Sequence, residues 1–174
     1  MAKLKKFCAY RKLERPYTRI SKYRKKSYIR ITPTIKIIRF DMGDPKKKFE
    51  VRLDLIPKSS IQVRQEAIES ARQTSARWLE KNLSKNGFHF KIRIFPFQVL
   101  RENPLAAGAG ADRMSTGMAK PFGKPIGIAA QIKKGKPIFS ISVDKQHIAV
   151  ARSAMARASK KMPCSFSVTV VENK

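Results

Sequence analysis

Asp112 and Ser115 place a carboxylate and a hydroxyl close together in the stretch GAGADRMSTGMAKPFGKPIG, Gly108 to Gly127. A serine becomes a nucleophile only with a base beside it, and no histidine stands near in sequence, since His89 and His147 are each isolated. Gly108 and Gly110 form a GAG that lacks the third glycine and the strand-to-helix context of a dinucleotide site, and no Gly-Lys-Ser/Thr phosphate loop is present. Cys8 and Cys164 lie near opposite ends with no second cysteine at zinc-ligand spacing, so neither a metal centre nor a disulfide framework is expected. The expectation is a binding protein with no catalytic residue, metal or cofactor of its own.

The Gly-rich stretch holds five of the eight glycines and two of the ten prolines, and it shows neither helical nor strand period. So long an aperiodic segment is unusual inside a compact domain. Its glycines let backbone approach a ligand closely, its amides are available to anions, and Arg113, Lys120 and Lys124 are separated cations beside one acid, Asp112. Two readings stay open on these residues: a loop that approaches RNA backbone, and a mobile linker between two halves.

Charge points the same way. Thirty-nine Lys and Arg against 12 Asp and Glu give a formal +27, which disfavours compaction unless a polyanion neutralises it. The chain has no apolar run of membrane-spanning length and no signal-peptide pattern, so a soluble intracellular protein is expected rather than a membrane one. Residues 1–39 carry 14 of the cations and a single acid, Glu14. Within them residues 1–33 read as an irregular basic arm, with Lys5, Lys6, Arg11, Lys12, Arg15, Arg19, Lys22, Arg24, Lys25 and Lys26 as candidate phosphate contacts. Phe7, Tyr10, Tyr17, Tyr23 and Tyr28 recur among these charges, either to stack on bases or sugars or to pack beneath the arm.

The elements behind these groups follow from periodicity. Residues 34–174 read as one α+β domain. Ile35 to Phe40 and Phe49 to Ile56 are strand-like, with turn chemistry in DMGDPKKK between them. A helix follows, capped by Ser59 or Ser60, with Val63, Ala67, Ala71 and Trp78 in its apolar stripe and a stop at Lys85 and Gly87. Phe88, Phe90, Ile92 and Ile94 alternate with His89, Lys91 and Arg93 as a strand with one basic face. After the internal loop, residues 103–126, GIAAQI and PIFSISV flank the KKGK turn as a hairpin, and Asp144 caps a second helix running to about Lys160. SFSVTVV then closes the chain as a strand. Strand, strand, helix, strand thus occurs twice, and the whole reads as a two-layer sandwich of mostly antiparallel sheet with two main helices. On the second helix Ile148, Ala151, Met155 and Ala158 share one side, while Lys145, Arg152 and Lys160 fall within an arc of about 80° on the other. No acid stands between Asp144 and Glu172, so this helix reads as phosphate-facing.

AGADRMSTGM with FGKPIG, preceded by NGFHFKIRIFPFQVLR and by RPYTRISKY, closely resembles the large-subunit ribosomal protein L-ten-e family, the archaeal and eukaryotic branch of universal ribosomal protein L-sixteen. The resemblance spans nearly the whole chain. It implies an α/β-hammerhead type of fold held on large-subunit rRNA between the central protuberance and the peptidyl transferase centre, near the A-site tRNA elbow and the 5S rRNA region. It also implies a flexible loop from Asn103 to about Lys124 directed at the P-site tRNA, with Gly108, Gly110, Asp112, Arg113, Gly117, Met118, Lys120 and Lys124 as the tRNA-proximal residues. Late entry into subunit assembly, neighbouring ribosomal proteins as partners, no homo-oligomer and a cytoplasmic, ribosome-bound location are implied as well. Two positions depart from the family pattern: Ala119 and Gln131 stand where a basic residue is usual, with Lys120 and Lys133 close by. The rival classes are an RNA-modifying or RNA-cleaving enzyme built on Asp112, Arg113 and Ser115, and a free nucleic-acid chaperone.

Overall fold

Val51, Leu53 and Leu55 alternate with Arg52 and Asp54 along β2 (Val51–Pro57), and this strand lies inside a sheet whose two faces differ as the alternation demands. The structure, a computed structural model, describes residues 4, 6–13, 21–27, 29, 33–102 and 124–172. Five antiparallel strands form that sheet in the order β1 (Asp41–Gly43), β4 (Phe88–Ile92), β7 (Phe139–Val143), β2 and β8 (Phe166–Glu172). A second, three-stranded antiparallel sheet orders β3 (Ile61–Arg64), β6 (Lys124–Ile132) and β5 (Gln98–Glu102). Two helices, α1 (Gln65–Asn82) and α2 (Ile148–Ser159), complete the α+β class expected from sequence.

Leu53, Leu55, Phe90, Phe139 and Ile141 point from the five-stranded sheet into one core with Ile68, Ala71 and Leu79 of α1 and Ala151, Ala154, Met155 and Ala158 of α2. Phe90 and Phe139 meet edge to face at 5.4 Å between centroids. The helices cross on small residues: buried Ser75 Oγ donates to the Ala154 carbonyl at 3.1 Å. The small stripe of α1 therefore serves approach to the other helix.

Several expectations are corrected by these pairings. Ile35 to Phe40 is not a strand. Side chains of α1 take its alternate amides instead: Lys36 N donates to Gln65 Oε1 at 2.9 Å and Ile38 N to the Glu69 carboxylate. Pairing begins only at Asp41. Ser59 and Ser60 do not cap α1, because Ile61–Arg64, Val63 included, is β3, and Ser60 Oγ accepts from Lys134 N at 2.9 Å. The helix ends at Asn82, before Lys85 and Gly87. The strand from Phe88 ends at Ile92, and after Pro96 the chain enters the other sheet as β5.

GIAAQI and PIFSISV do not form a hairpin. Gly135 does turn the chain, with φ of 82°, but β6 and β7 leave that turn into different sheets. The order strand, strand, helix, strand does recur, as β2, β3, α1, β4 and β6, β7, α2, β8, but the two sets distribute their strands between the sheets differently. The internal loop ends earlier than expected, since Lys124, Pro125 and Ile126 belong to β6. Asp144 stands before a 3-10 turn, Lys145–His147, with no side-chain cap bond, and its carboxylate holds Lys47 at 3.0 Å.

Candidate nucleic-acid interface

The acids of this chain are spent on particular neighbours, and this decides which cations face outward uncompensated. On the outer face of the five-stranded sheet Asp41 lies 3.2 Å from His89 and 3.7 Å from Lys91, while buried Asp54 holds Arg52 at 3.1 Å and accepts from Ser140, whose hydroxyl also accepts from Arg93. The face that reads as basic along β4 is thus balanced by acids on β1 and β2. Across α1, Glu66 pairs Lys36 at 3.0 Å, and Glu69 pairs Arg72 with both side chains largely buried. Burial alone would raise the Glu69 carboxyl, but hydrogen bonds from Arg72 and Gln73 and the Arg72 charge outweigh it and hold the group below its ordinary value.

The described parts of the basic arm are attached to the domain. Its first 3-10 turn, Phe7–Tyr10, lies along the free edge of β3: Gln62 N donates to the Arg11 carbonyl at 3.1 Å and Gln62 Nε2 to the Tyr10 carbonyl at 3.0 Å. Phe7 packs against the core and the Leu4 side chain lies over Gly127. Lys6, Arg11 and Lys12 are left exposed around this anchor. A second turn is closed by Ser21 N donating to Ser27 Oγ at 3.0 Å, and it presents exposed Lys22, Lys25 and Lys26, the last 5.4 Å from the ring centroid of exposed Tyr23. The two ring roles expected of the arm are divided: Phe7 packs, and Tyr23 faces outward. Lys5, Arg15, Arg19, Tyr17 and Tyr28 lie outside the described residues, as does the side chain of Arg24.

Lys145, Arg152 and Lys160 are all exposed at or along α2. Lys145 sits in the 3-10 turn that precedes the helix, so the common arc expected from helical spacing holds for Arg152 and Lys160 only; its amide donates to Glu50 Oε2 at 3.2 Å. Sequence reading missed a further basic group. Arg77 and Lys81, one turn apart on α1, line a cleft of about 480 Å³ with Trp78 and with Arg157 of α2, and the Arg157 guanidinium lies 3.8 Å from the Trp78 ring centroid. The spacing of Arg77 and Lys81 was visible in sequence, but nearby Glu66, Glu69 and Glu80 made the helix look evenly mixed. Packing of α2 separates them from that balance.

Gly108, Gly110, Asp112, Arg113, Gly117, Met118 and Lys120 lie outside the described residues, and so does Ala119. The stem that carries them is described: β5 and β6 pair in antiparallel register up to Glu102 opposite Lys124, with a bulge between Leu100 and Arg101. The long stretch therefore connects adjacent strands of one ladder and does not join two halves. Gln131, the other departure, donates to Gln62 across β6 and β3 at 3.4 Å. A polar cross-strand contact stands there in place of an outward charge.

Among the described residues no group of His, Cys, Asp and Glu is arranged to hold a metal, and no helix is long and apolar enough to cross a membrane. The family model for ribosomal protein L16p/L10e matches residues 18–169. The chain is 39% identical over 165 residues to the large ribosomal subunit protein uL16 of Methanococcus maripaludis, covering 95% of this chain and 92% of that one. It is 40% identical over 161 residues to the uL16 protein of Archaeoglobus fulgidus, covering 92% and 89% respectively.

Proposed function

Because this chain belongs to the ribosomal protein L16p/L10e family, we propose that it is a structural constituent of the large ribosomal subunit that binds large-subunit rRNA near the central protuberance and the A-site tRNA elbow. The observation that carries this reading is the family match along residues 18–169. The charge distribution supports it: Lys6, Arg11, Lys12, Lys22, Lys25 and Lys26 of the arm and Arg152 and Lys160 at α2 are exposed cations for which no ion pair is formed among the described residues. They neutralise phosphates of folded rRNA and release its counterions, with shape in place of base reading.

The internal loop, on the β5–β6 stem, reaches toward the peptidyl transferase centre and the P-site tRNA. Arg113 and Lys120 supply its charge, and Gly108, Gly110 and Gly117 its close backbone approach. The 5S rRNA region, tRNA in the A and P sites and neighbouring ribosomal proteins are its surroundings, and rRNA carries the chemistry. The protein joins the cytoplasmic subunit late in assembly. Sedimentation of a cell lysate through a sucrose gradient tests this: the protein is expected with large subunits and whole ribosomes, and a pool mostly at the top of the gradient would contradict it.

A further inference from the structure

Arg77 and Lys81 of α1 and Arg157 of α2 converge on one open cleft, which Ser70, Gln73, Thr74 and Trp78 complete. No acid lines it. Its volume of about 480 Å³ falls within the range of sites that seat a small-molecule-sized group. Three like charges brought together by packing repel one another, and in the described structure nothing of opposite sign sits among them. Of the acids on α1, Glu69 is bound by Arg72 and Gln73, and Glu80 is not among the residues that line the cleft.

Two features of Trp78 make the cleft more than a patch of charge. The Arg157 guanidinium lies over the Trp78 indole, 3.8 Å from the ring centroid, and this contact restrains a long side chain at the cleft. Trp78 Nε1 is buried and has no hydrogen-bond partner among the described residues, an uncommon state for a buried donor. Gln73 and Thr74 already donate, to Glu69 Oε1 and to the Ser70 carbonyl, so the charged donors lining this site are the three cations.

We propose that the α1–α2 cleft is a phosphate-docking site for rRNA, in which Arg77, Lys81 and Arg157 hold a backbone phosphate beside Trp78. This rests on the rRNA-binding reading above and adds a site to it. Binding of this kind requires no change in the fold, because the cleft is already open and its ring and guanidinium are already in contact.

Trp78 is the single tryptophan of the chain, so its emission reports on this cleft alone. The full-length protein is titrated with a fluorescein-labelled twelve-nucleotide oligouridylate, following Trp78 emission and fluorescein anisotropy together. The expected result is a change in emission that tracks the anisotropy. In Arg77→Gln/Lys81→Gln the emission change is lost and the slope of log affinity against log salt falls in magnitude by about 0.7, one phosphate contact to a single strand. Lys25→Gln/Lys26→Gln removes the same charge from the arm and is expected to keep the emission change. RNA binding with silent Trp78 emission would overturn the cleft and leave rRNA binding standing, whereas no RNA binding at all would remove both. An equal response to inorganic phosphate at the same phosphate concentration would make this a simple ion site and overturn the RNA assignment.

Discussion

Glu69 shows how one carboxylate organises a segment that sequence periodicity misassigns. It accepts from Arg72, Gln73 and the Ile38 amide, Arg72 also reaches Met42 Sδ at 3.2 Å, and Gln65 one turn earlier takes Lys36 N. Residues that alternate like a strand are thereby stitched to a helix by its side chains. Because the Glu69 carboxyl is held below its ordinary value of 4.5, the folded protein binds that proton less tightly than the unfolded chain. The stability it contributes is present above pH 4.5 and is lost as pH falls through the lowered folded value. Glu69→Gln is therefore expected to cost about 1–3 kcal/mol at pH 7, with the gap to the wild type closing in acid. Urea unfolding at neutral and acid pH checks this, and a gap that stayed constant would contradict it. Arg77 and Lys81 were legible as a helical pair, but that they face Arg157 depends on how two helices cross, which no spacing within one helix records.

Glycines separate two kinds of turn among the elements. Gly43 ends β1 at φ 85°, where an added Cβ would stand 2.0 Å from the Phe88 carbonyl oxygen of β4, whereas Gly135, at φ 82°, opens onto empty space. Gly43→Ala is expected to destabilise by about 3 kcal/mol or more through strain and collision, and Gly135→Ala by about 1 kcal/mol through strain alone. Chemical denaturation midpoints separate the two, and equal losses would refute the distinction. The stem below the internal loop makes a further prediction. Since β5 and β6 pair through to Glu102 and Lys124, deleting Ala109 to Met118 is expected to leave the fold and rRNA docking intact while impairing translation. Circular dichroism and a translation assay on variant ribosomes read the two effects, and loss of the fold would make the stretch structural. Strand β8 and the core strands were legible by their alternation, yet alternation specifies a face and not a partner. That is why β6 and β7 looked like a hairpin and stand in different sheets. β8 shows the same limit: Val168 and Val170 are 37% and 38% exposed at the sheet edge despite a core strand's pattern.

For the whole molecule, +27 is a statement about attachment. If about ten of the 39 cations contact phosphates, the slope of log affinity against log salt is expected to be about −7 to −9. Washing large subunits with rising KCl measures it, and a protein retained unchanged through molar salt would contradict the electrostatic account. The GADR to FGKP stretch and the periodicity of the elements by themselves determined the family and the α+β class, because both are carried by residue types and short-range order. Tertiary structure alone decided the division into two sheets, the anchoring of the arm on β3, the ion pairing across the outer sheet face and the basic cleft between the helices. Those features arise from contacts between residues far apart in the chain, such as Asp54 with Ser140 or Trp78 with Arg157, and local periodicity carries no information about which distant partner a given face will meet.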